Sequence, residues 1–151
     1  MKPLIVLLIT FIISIFVIKF TSDTYDYTLS GRIAMCAMLF FTTIGHFIYT
    51  KGMTMMMPEF IPFKMQIVYL TGFLEVILGI GLLIPSLKIY SAWLLISFFI
   101  LFMPANINAA IKRIDYQKGT FDGSGLNYLW FRIPLQIFFI TWVYLSSIKI
   151  Y

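Results

Sequence analysis

Six polar side chains that could bind a ligand or exchange a proton lie inside otherwise apolar stretches of the sequence. They are an imidazole, a carboxyl group, a guanidinium and three amides: His46, Glu75, Arg132, Asn106, Asn108 and Gln136. Ionisable side chains are costly to bury in apolar helices, and they usually face a cavity or one another. A carboxyl group beside a cation can relay a proton, and an amide can hold a carbonyl oxygen. These residues are therefore the candidates for an intramembrane binding site.

Five of these candidates are predicted to lie in the same half of a membrane. At about 1.5 Å of rise per residue, the depths from one face are roughly 6 Å for His46, roughly 8–9 Å for Asn106 and Arg132, and roughly 13–14 Å for Glu75 and Gln136. Successive helices run in opposite directions, so this agreement does not follow from order along the chain. We therefore predict one polar layer that forms a ligand-binding site.

An ion pair between Glu75 and Arg132 is the expected centre of this layer. Arg132 and Gln136 are four residues apart and share a helix face. Gly72 and Gly79 lie on the same stripe as Glu75, where they allow a helix or a ligand to approach closely. A lone buried carboxylate is costly, and a guanidinium lowers that cost. Such a pair is as consistent with helix packing as with catalysis.

Structural roles account for the same residues equally well. Arg132 is close enough to its helix end to extend its guanidinium to the membrane surface. His46 could form a hydrogen bond between helices or lie in the interface, and Asn106 and Gln136 could join helices. A purely structural role is least supported for Glu75, because this residue lies in the middle of its segment.

Metal and thiol chemistry have little support in the sequence. Cys36 is the single cysteine, so an intramolecular disulfide and a dithiol motif are both excluded. Methionines between residues 53 and 65 could suggest copper(I), but methionine also fills apolar space, and we expect that role. One histidine with no second histidine or cysteine at ligand spacing is weak support for zinc. We expect no metal site, so any redox role requires a bound cofactor or a partner.

Five apolar segments must position the polar layer, because a membrane-spanning helix needs about 20 mostly apolar residues. They cover residues 3–20, 32–50, 66–84, 89–112 and 127–148. The chain is 61% hydrophobic and 11% charged, far from the composition of a soluble domain. The first segment resembles a signal peptide in length, but it lacks a small-residue cleavage site, and we expect it to remain. An all-α transmembrane bundle is predicted.

The distribution of basic residues predicts the orientation of this bundle. One side would carry six basic residues: Lys2, Lys51, Lys64, Lys112, Arg113 and Lys118. The other side would carry four: Lys19, Arg32, Lys88 and Lys149. The more basic side is expected in the cytoplasm, which places the N-terminus inside and the C-terminus outside. The net charge of +5 is explained in this way, and a nucleic-acid surface is not expected.

Two connections are longer than simple turns. Residues 51–65 (the 51–65 segment) are too polar to span a membrane and too apolar for solvent, and Pro58 and Pro62 forbid a long helix. We expect this segment in the interface, as a lid over the polar layer. Residues 113–126 are hydrophilic and rich in glycine, which predicts a flexible loop that ends at a helix cap.

Six sequence blocks resemble the DoxX-like family of small bacterial membrane proteins. They are GHFIYT at 45–50, PEFIPF at 58–63, VYLTGFLEVILGIGLLIP at 68–85, AWLL at 92–95, MPANINAA at 103–110 and RIPLQIFFITWVY at 132–144. The resemblance covers roughly residues 31–148 and implies a four-helix core. Residues 31–151 would form that core, and residues 1–30 would add an N-terminal transmembrane helix and an extracytoplasmic loop. The resemblance also implies a bacterial inner-membrane location and an association with redox enzymes.

Three functions are consistent with these features. The leading hypothesis is a bundle that binds a lipophilic small molecule, such as a quinone, beside Glu75 and Arg132 in a redox-associated role. Membrane lipids are expected partners, and a membrane protein or redox complex is a further candidate. The first alternative is an accessory subunit without catalytic activity, whose polar layer only fixes helix packing. The second is a transporter of a small solute, although no inverted repeat is visible in the sequence.

Overall fold

The computed structural model describes residues 2–149 and shows an all-helical chain without strands over that range. Its helices are α1 (Lys2–Ser22), α2 (Tyr27–Ile48), α3 (Thr50–Met56), α4 (Lys64–Leu83), α5 (Lys88–Ile111) and α6 (Leu129–Val143). A 3₁₀ turn at Gly125–Tyr128 precedes α6, and a π-helical turn at Tyr144–Ile148 follows it. Residues 150 and 151, at the end of the expected four-helix segment, lie outside the described range.

Five helical stretches are long and apolar enough to cross a membrane, which is the character of a multi-pass membrane protein. They are α1, α2, α4, α5 and the continuous stretch Gly125–Ile148. Their outer surface is apolar, with Phe20 88%, Leu101 74% and Trp130 85% exposed. Such side chains suit contact with lipid, since a lipid-facing surface must be apolar. The five predicted spans are therefore confirmed as helices of spanning length.

The second span begins five residues earlier than predicted, because Asp26 caps it. The Asp26 carboxylate accepts hydrogen bonds from the Leu29 amide at 2.8 Å and from the Thr28 hydroxyl at 2.8 Å. This side chain satisfies amide hydrogens that have no partner within the helix. The cap reduces the connection between α1 and α2 to a few residues.

The helices pack in a simple order around one apolar core. Helix α1 packs on α2, α2 on α4, α4 on α5, and α5 on α6 and its flanking turns. Small residues permit the closest approaches, as where a Cβ at Gly31 would lie 2.9 Å from Ser146 Cβ. The most completely buried large side chains of the core are Leu7, Met35, Met38, Leu39, Leu82 and Leu95.

The 51–65 segment folds back over one end of the bundle. Helix α3 ends before Pro58, as the prolines require, and it packs against α2, α4 and α5. The Asn108 amide donates to the Met56 carbonyl at 2.8 Å, and the side chain of Met57 is buried. Phe60 and Phe63 are 84% and 74% exposed, which suits an interfacial position. The expected packing over the bundle is present.

The connection between α5 and the last helical stretch is a closed turn rather than an open loop. Asp115 and Thr120 form an isolated antiparallel bridge, and the Gly123 amide donates to the Arg113 carbonyl at 2.7 Å. The Tyr116 carbonyl packs directly on Gly52 of α3, where a Cβ would collide with it. This turn therefore closes the same end of the bundle as the 51–65 segment. No side chain caps the following 3₁₀ turn.

Candidate functional site

Glu75 and His46 form a buried pair at the contact between α4 and α2. Glu75 Oε1 lies 3.3 Å from His46 Nε2, and each residue is 7% exposed. Gly72 brings the helices together here, since a Cβ at that position would lie 3.1 Å from His46 Cβ. The close approach of a neighbouring helix that was predicted at Gly72 is therefore present, and α2 occupies the space beside this glycine.

The hydrogen bonds of His46 indicate which ring nitrogen faces Glu75. His46 Nδ1 lies 3.0 Å from the Val68 carbonyl oxygen, which can only accept, so Nδ1 carries a hydrogen. The Thr71 hydroxyl donates to the same carbonyl at 2.8 Å. Nε2 is then the ring nitrogen that faces Glu75 Oε1, at 3.3 Å.

Two threonines complete the surroundings of the Glu75 carboxyl group. Thr42 Oγ1 lies 2.8 Å from Glu75 Oε2, and Thr43 Oγ1 lies 3.4 Å from the same oxygen. Each hydroxyl also reaches a backbone carbonyl, that of Leu39 or of Gly72. A hydroxyl has one hydrogen to donate, so it can turn toward the carboxylate or toward the carbonyl. We call His46, Glu75, Thr42, Thr43 and Thr71 the His–Glu group.

The predicted ion pair between Glu75 and Arg132 is wrong. None of the ion pairs among residues 2–149 includes Arg132, and the partner of Glu75 is His46. The physical reason is helix order: the Glu75 face of α4 packs on α2, whereas Arg132 lies on α6, which packs on α5. Equal depth in a membrane places residues in one layer without making them neighbours.

Arg132 belongs to a second polar group, between α5 and the last helical stretch. Its Nε donates to Asn106 Oδ1 at 3.2 Å, and its Nη1 donates to the Tyr128 hydroxyl at 3.4 Å. Asn106 is buried, and Arg132 is partly buried. We call Arg132, Asn106 and Tyr128 the arginine group. The hydrogen bonds and ion pairs within residues 2–149 leave it separate from the His–Glu group.

The two remaining amides bind backbone carbonyls. Gln136 Nε2 donates to the Phe99 carbonyl at 2.8 Å, next to the Ile100 carbonyl that Pro104 leaves without its usual amide donor. Asn108 holds α3, as described above. Gln136 therefore joins α6 to α5, which is the structural role that the sequence left open for it.

The structure adds residues that the sequence reasoning missed. Thr42 and Thr43 lie four and three residues before His46, and Thr71 lies four residues before Glu75. Tyr128 lies four residues before Arg132. Spacings of three and four place side chains on one helix face, so a search for hydroxyl groups at these spacings would have found them.

A cavity of about 700 Å³ lies away from both polar groups, near the start of α2 and the end of the last helical stretch. Its lining includes Asp26, Gly31, Trp142 and Ser146, and Trp142 Nε1 donates to the Gly31 carbonyl at 3.0 Å. Its lining contains no carboxylate besides Asp26 and no basic side chain. Among residues 2–149, no cluster of histidine, cysteine or acidic side chains has the arrangement needed to hold a metal ion.

A comparison with protein families identifies one match. The model described as "Domain of unknown function (DUF8561)" matches residues 35–147. This range covers most of the bundle after α1, including His46, Glu75, Asn106, Arg132 and Gln136. No curated protein and no solved structure matches the chain.

Proposed function

We propose that this chain, which belongs to the DUF8561 family, binds a lipophilic molecule in its membrane region and exchanges a proton with it through Glu75 and His46. The observation that carries the proposal is the buried contact of 3.3 Å between Glu75 Oε1 and His46 Nε2. An ionisable pair inside a spanning bundle is costly to maintain and usually marks a functional position.

The pair has the features of a proton-exchanging group. A carboxyl group and an imidazole, which can each hold a proton, lie 3.3 Å apart, and the two threonine hydroxyls beside them can reorient. A ligand oxygen that replaced Thr42 beside Glu75 could receive this proton in a transfer of general-acid type. Thr42 is only partly buried, so it is the most accessible side of the group.

Quinones are the proposed ligand class, because a quinone takes up a proton for each electron that it accepts. The electrons would come from a redox partner in the membrane. This association with redox chemistry rests on the resemblance to DoxX-like proteins and stays a prediction. An aromatic surface beside the pair supports a flat ligand: Phe47 stacks on Tyr69 at 5.6 Å and contacts Phe73 edge-on at 6.0 Å.

An accessory subunit without catalytic activity is the second candidate. Within residues 2–149, every buried side-chain nitrogen and oxygen has a hydrogen-bond partner. A network this complete can also serve only to fix helix packing, since interhelical hydrogen bonds stabilise membrane bundles. The variants below distinguish the two candidates.

The proposed location is a bacterial inner membrane, with the N-terminus inside and the C-terminus outside. The basic residues of the connections support this orientation. It would place both polar groups, the 51–65 segment and the 113–126 turn toward the cytoplasm. A proton exchanged with the ligand would then come from the cytoplasmic side.

Gentle purification followed by mass spectrometry of bound lipids and quinones tests the proposal. We expect a quinone-class molecule with the natural protein and about tenfold less with Glu75→Gln. Glu59→Gln is the matched control, because Glu59 is an exposed acid that pairs with Lys112 at 2.6 Å. It should retain the ligand.

Thermal unfolding of the same samples separates function from packing. Loss of ligand with an unchanged unfolding temperature supports the proposed function. A large drop in unfolding temperature for Glu75→Gln, without any bound molecule in the natural protein, contradicts it and favours the accessory subunit. Equal ligand content in the two variants also contradicts it.

A further inference from the structure

Arg132 is a cation in a membrane-spanning stretch that has no acidic partner among residues 2–149. Its two protein hydrogen bonds go to neutral groups, the Asn106 amide oxygen and the Tyr128 hydroxyl. A guanidinium in an apolar layer normally pairs with an anion or reaches water, since its charge is expensive there. The described protein groups around Arg132 leave its charge uncompensated.

The arginine group is also rich in free donors. A guanidinium carries five N–H hydrogens, and the two bonds described above use one on Nε and one on Nη1. The remaining hydrogens on Nη1 and Nη2 have no protein acceptor within residues 2–149. The Tyr128 hydroxyl accepts from Arg132, so its own hydrogen is free to donate to a further group.

Tyr116, in the 113–126 turn, is a further hydroxyl at this end of the bundle. Its hydroxyl accepts a hydrogen bond from Gln117 Nε2 at 3.3 Å and keeps its own hydrogen. Burial raises the pKa of Tyr116, and the neighbouring Tyr128 raises it further, although Arg132 opposes the shift. The hydroxyl therefore stays protonated at neutral pH.

The position of Tyr116 is held by its packing. Its carbonyl rests on Gly52, and its ring meets Tyr49 edge-on at 6.0 Å between centroids.

The acids at this end of the bundle are already paired with lysines. Glu59 pairs with Lys112 at 2.6 Å, and Asp115 and Asp122 lie 3.8 Å and 3.9 Å from Lys118 Nζ. A rearranged protein carboxylate would have to abandon one of these partners to reach Arg132. An anion from outside the chain would compensate the charge of Arg132 without breaking any of these pairs.

We infer that Arg132 and Tyr128 bind an oxyanion of the phosphate type at this end of the bundle. A guanidinium fork matches the oxygens of phosphate, and hydrogen bonds between charged groups are stronger than those between neutral ones. Asn106 would orient the fork by holding Nε, so that both Nη atoms face away from the core. This site is separate from the His–Glu group and does not depend on its proposed function.

The depth of the site suits a phosphate at the membrane surface. Arg132 lies seven residues after the start of the last helical stretch at Gly125, and so roughly 10 Å inside it. Its contact with Tyr128 directs the guanidinium back toward that end, in the manner of a side chain that reaches for the interface. The phosphate of a lipid headgroup and a soluble phosphate would present the same oxygens to it.

Binding in maltoside micelles tests the inference. The probes are phosphatidylglycerol, a diacylglycerol with the same acyl chains, and inorganic phosphate. We expect the natural protein to bind phosphatidylglycerol about tenfold more tightly than diacylglycerol, and Arg132→Gln to lose about that factor. Arg113→Gln is the control, because Arg113 is an exposed cation at the same end, and we expect its effect to stay within about twofold.

The probes also distinguish the two sources of phosphate. Inorganic phosphate that stabilises the natural protein and not Arg132→Gln would support a soluble ligand. Stabilisation by phosphatidylglycerol alone would support a lipid headgroup. If neither phosphatidylglycerol nor inorganic phosphate is distinguished from diacylglycerol, the inference is overturned. Equal losses of phosphatidylglycerol affinity in Arg132→Gln and Arg113→Gln would also overturn it.

If Arg132→Gln fails to fold, two other variants still test the inference. Arg132→Lys keeps the charge and loses the fork, and Tyr128→Phe keeps the charge and removes one hydroxyl. Both should weaken phosphatidylglycerol binding several-fold while leaving the binding of diacylglycerol unchanged. Unchanged phosphatidylglycerol affinity in both variants would contradict the proposed site.

Discussion

Glu75 Oε1 and His46 Nε2 lie 3.3 Å apart and connect two helices that run in opposite directions. Glycine at position 72 makes the contact possible, because it lets the backbone of α4 approach His46. The contact between Glu75 and His46 therefore depends both on these two side chains and on the close packing of α4 against α2. Variants that disturb one of these features at a time can separate them.

A double-mutant cycle should show that Glu75 is coupled to His46 and not to Arg132. For Glu75→Ala with His46→Ala, we expect a coupling of about 0.5–3 kcal/mol in the free energy of unfolding, as for residues in one hydrogen-bonded network. For Glu75→Ala with Arg132→Ala, the effects should add to within about 0.5 kcal/mol. Denaturation in mixed micelles measures both, and a larger coupling to Arg132 would contradict the observed partnership.

Alanine substitutions at two glycines of α4 should have different effects. A Cβ at Gly72 would lie 3.1 Å from His46 Cβ, which cannot move without the backbone, so Gly72→Ala should cost about 1–3 kcal/mol. A Cβ at Gly79 would lie 3.5 Å from Cys36 Sγ, an ordinary contact, so Gly79→Ala is the control. It should be neutral or stabilising, because alanine favours helix. The same denaturation assay measures both, and equal losses would argue against tight packing at Gly72.

The Asp26 cap should make the stability of α2 depend on pH. The hydrogen bond from the Leu29 amide lowers the pKa of Asp26, with a further contribution from Thr28, while burial opposes the shift. A lowered pKa in the folded state means that the stabilisation is complete above the unfolded pKa, about 3.9. It is lost as the pH falls through the lower pKa of the folded protein.

Substitutions at Asp26 test this cap. Asp26→Ala should cost about 1 kcal/mol at neutral pH, whereas Asp26→Asn keeps the cap and should lose only the pH dependence. Circular dichroism during thermal unfolding between neutral and acidic pH follows both. An Asp26→Asn variant as unstable as Asp26→Ala would contradict a capping role.

Cysteine labelling should establish the orientation. In a Cys36→Ser background, we expect a cysteine in place of Thr24 to react with an impermeant maleimide on intact cells, because residue 24 connects α1 and α2 on the predicted outer side. A cysteine in place of Lys118, in the 113–126 turn, should react only after the membrane is opened. The opposite pattern would invert the orientation, and labelling at both positions on intact cells would indicate that one of α2, α4 and α5 does not span.

The sequence alone determined the class of this protein. Its helices follow from the length and hydropathy of five segments, because an apolar stretch of about 20 residues has few stable states other than a spanning helix. The shape of the 51–65 segment followed from Pro58 and Pro62. The common depth of the polar residues stays a prediction from helix rise, but His46 and Glu75 do meet.

Only the tertiary structure decided which polar residues are partners. Depth along a helix is a local property, but the neighbour of a side chain depends on helix order and on rotation about the helix axis. Gly72 lets α4 approach α2 where Glu75 meets His46, and α6 packs on α5, so that Arg132 meets Asn106. Sequence spacing could place Glu75 and Arg132 in one layer, but helix order, with α4 packed on α2 and α6 on α5, kept them apart.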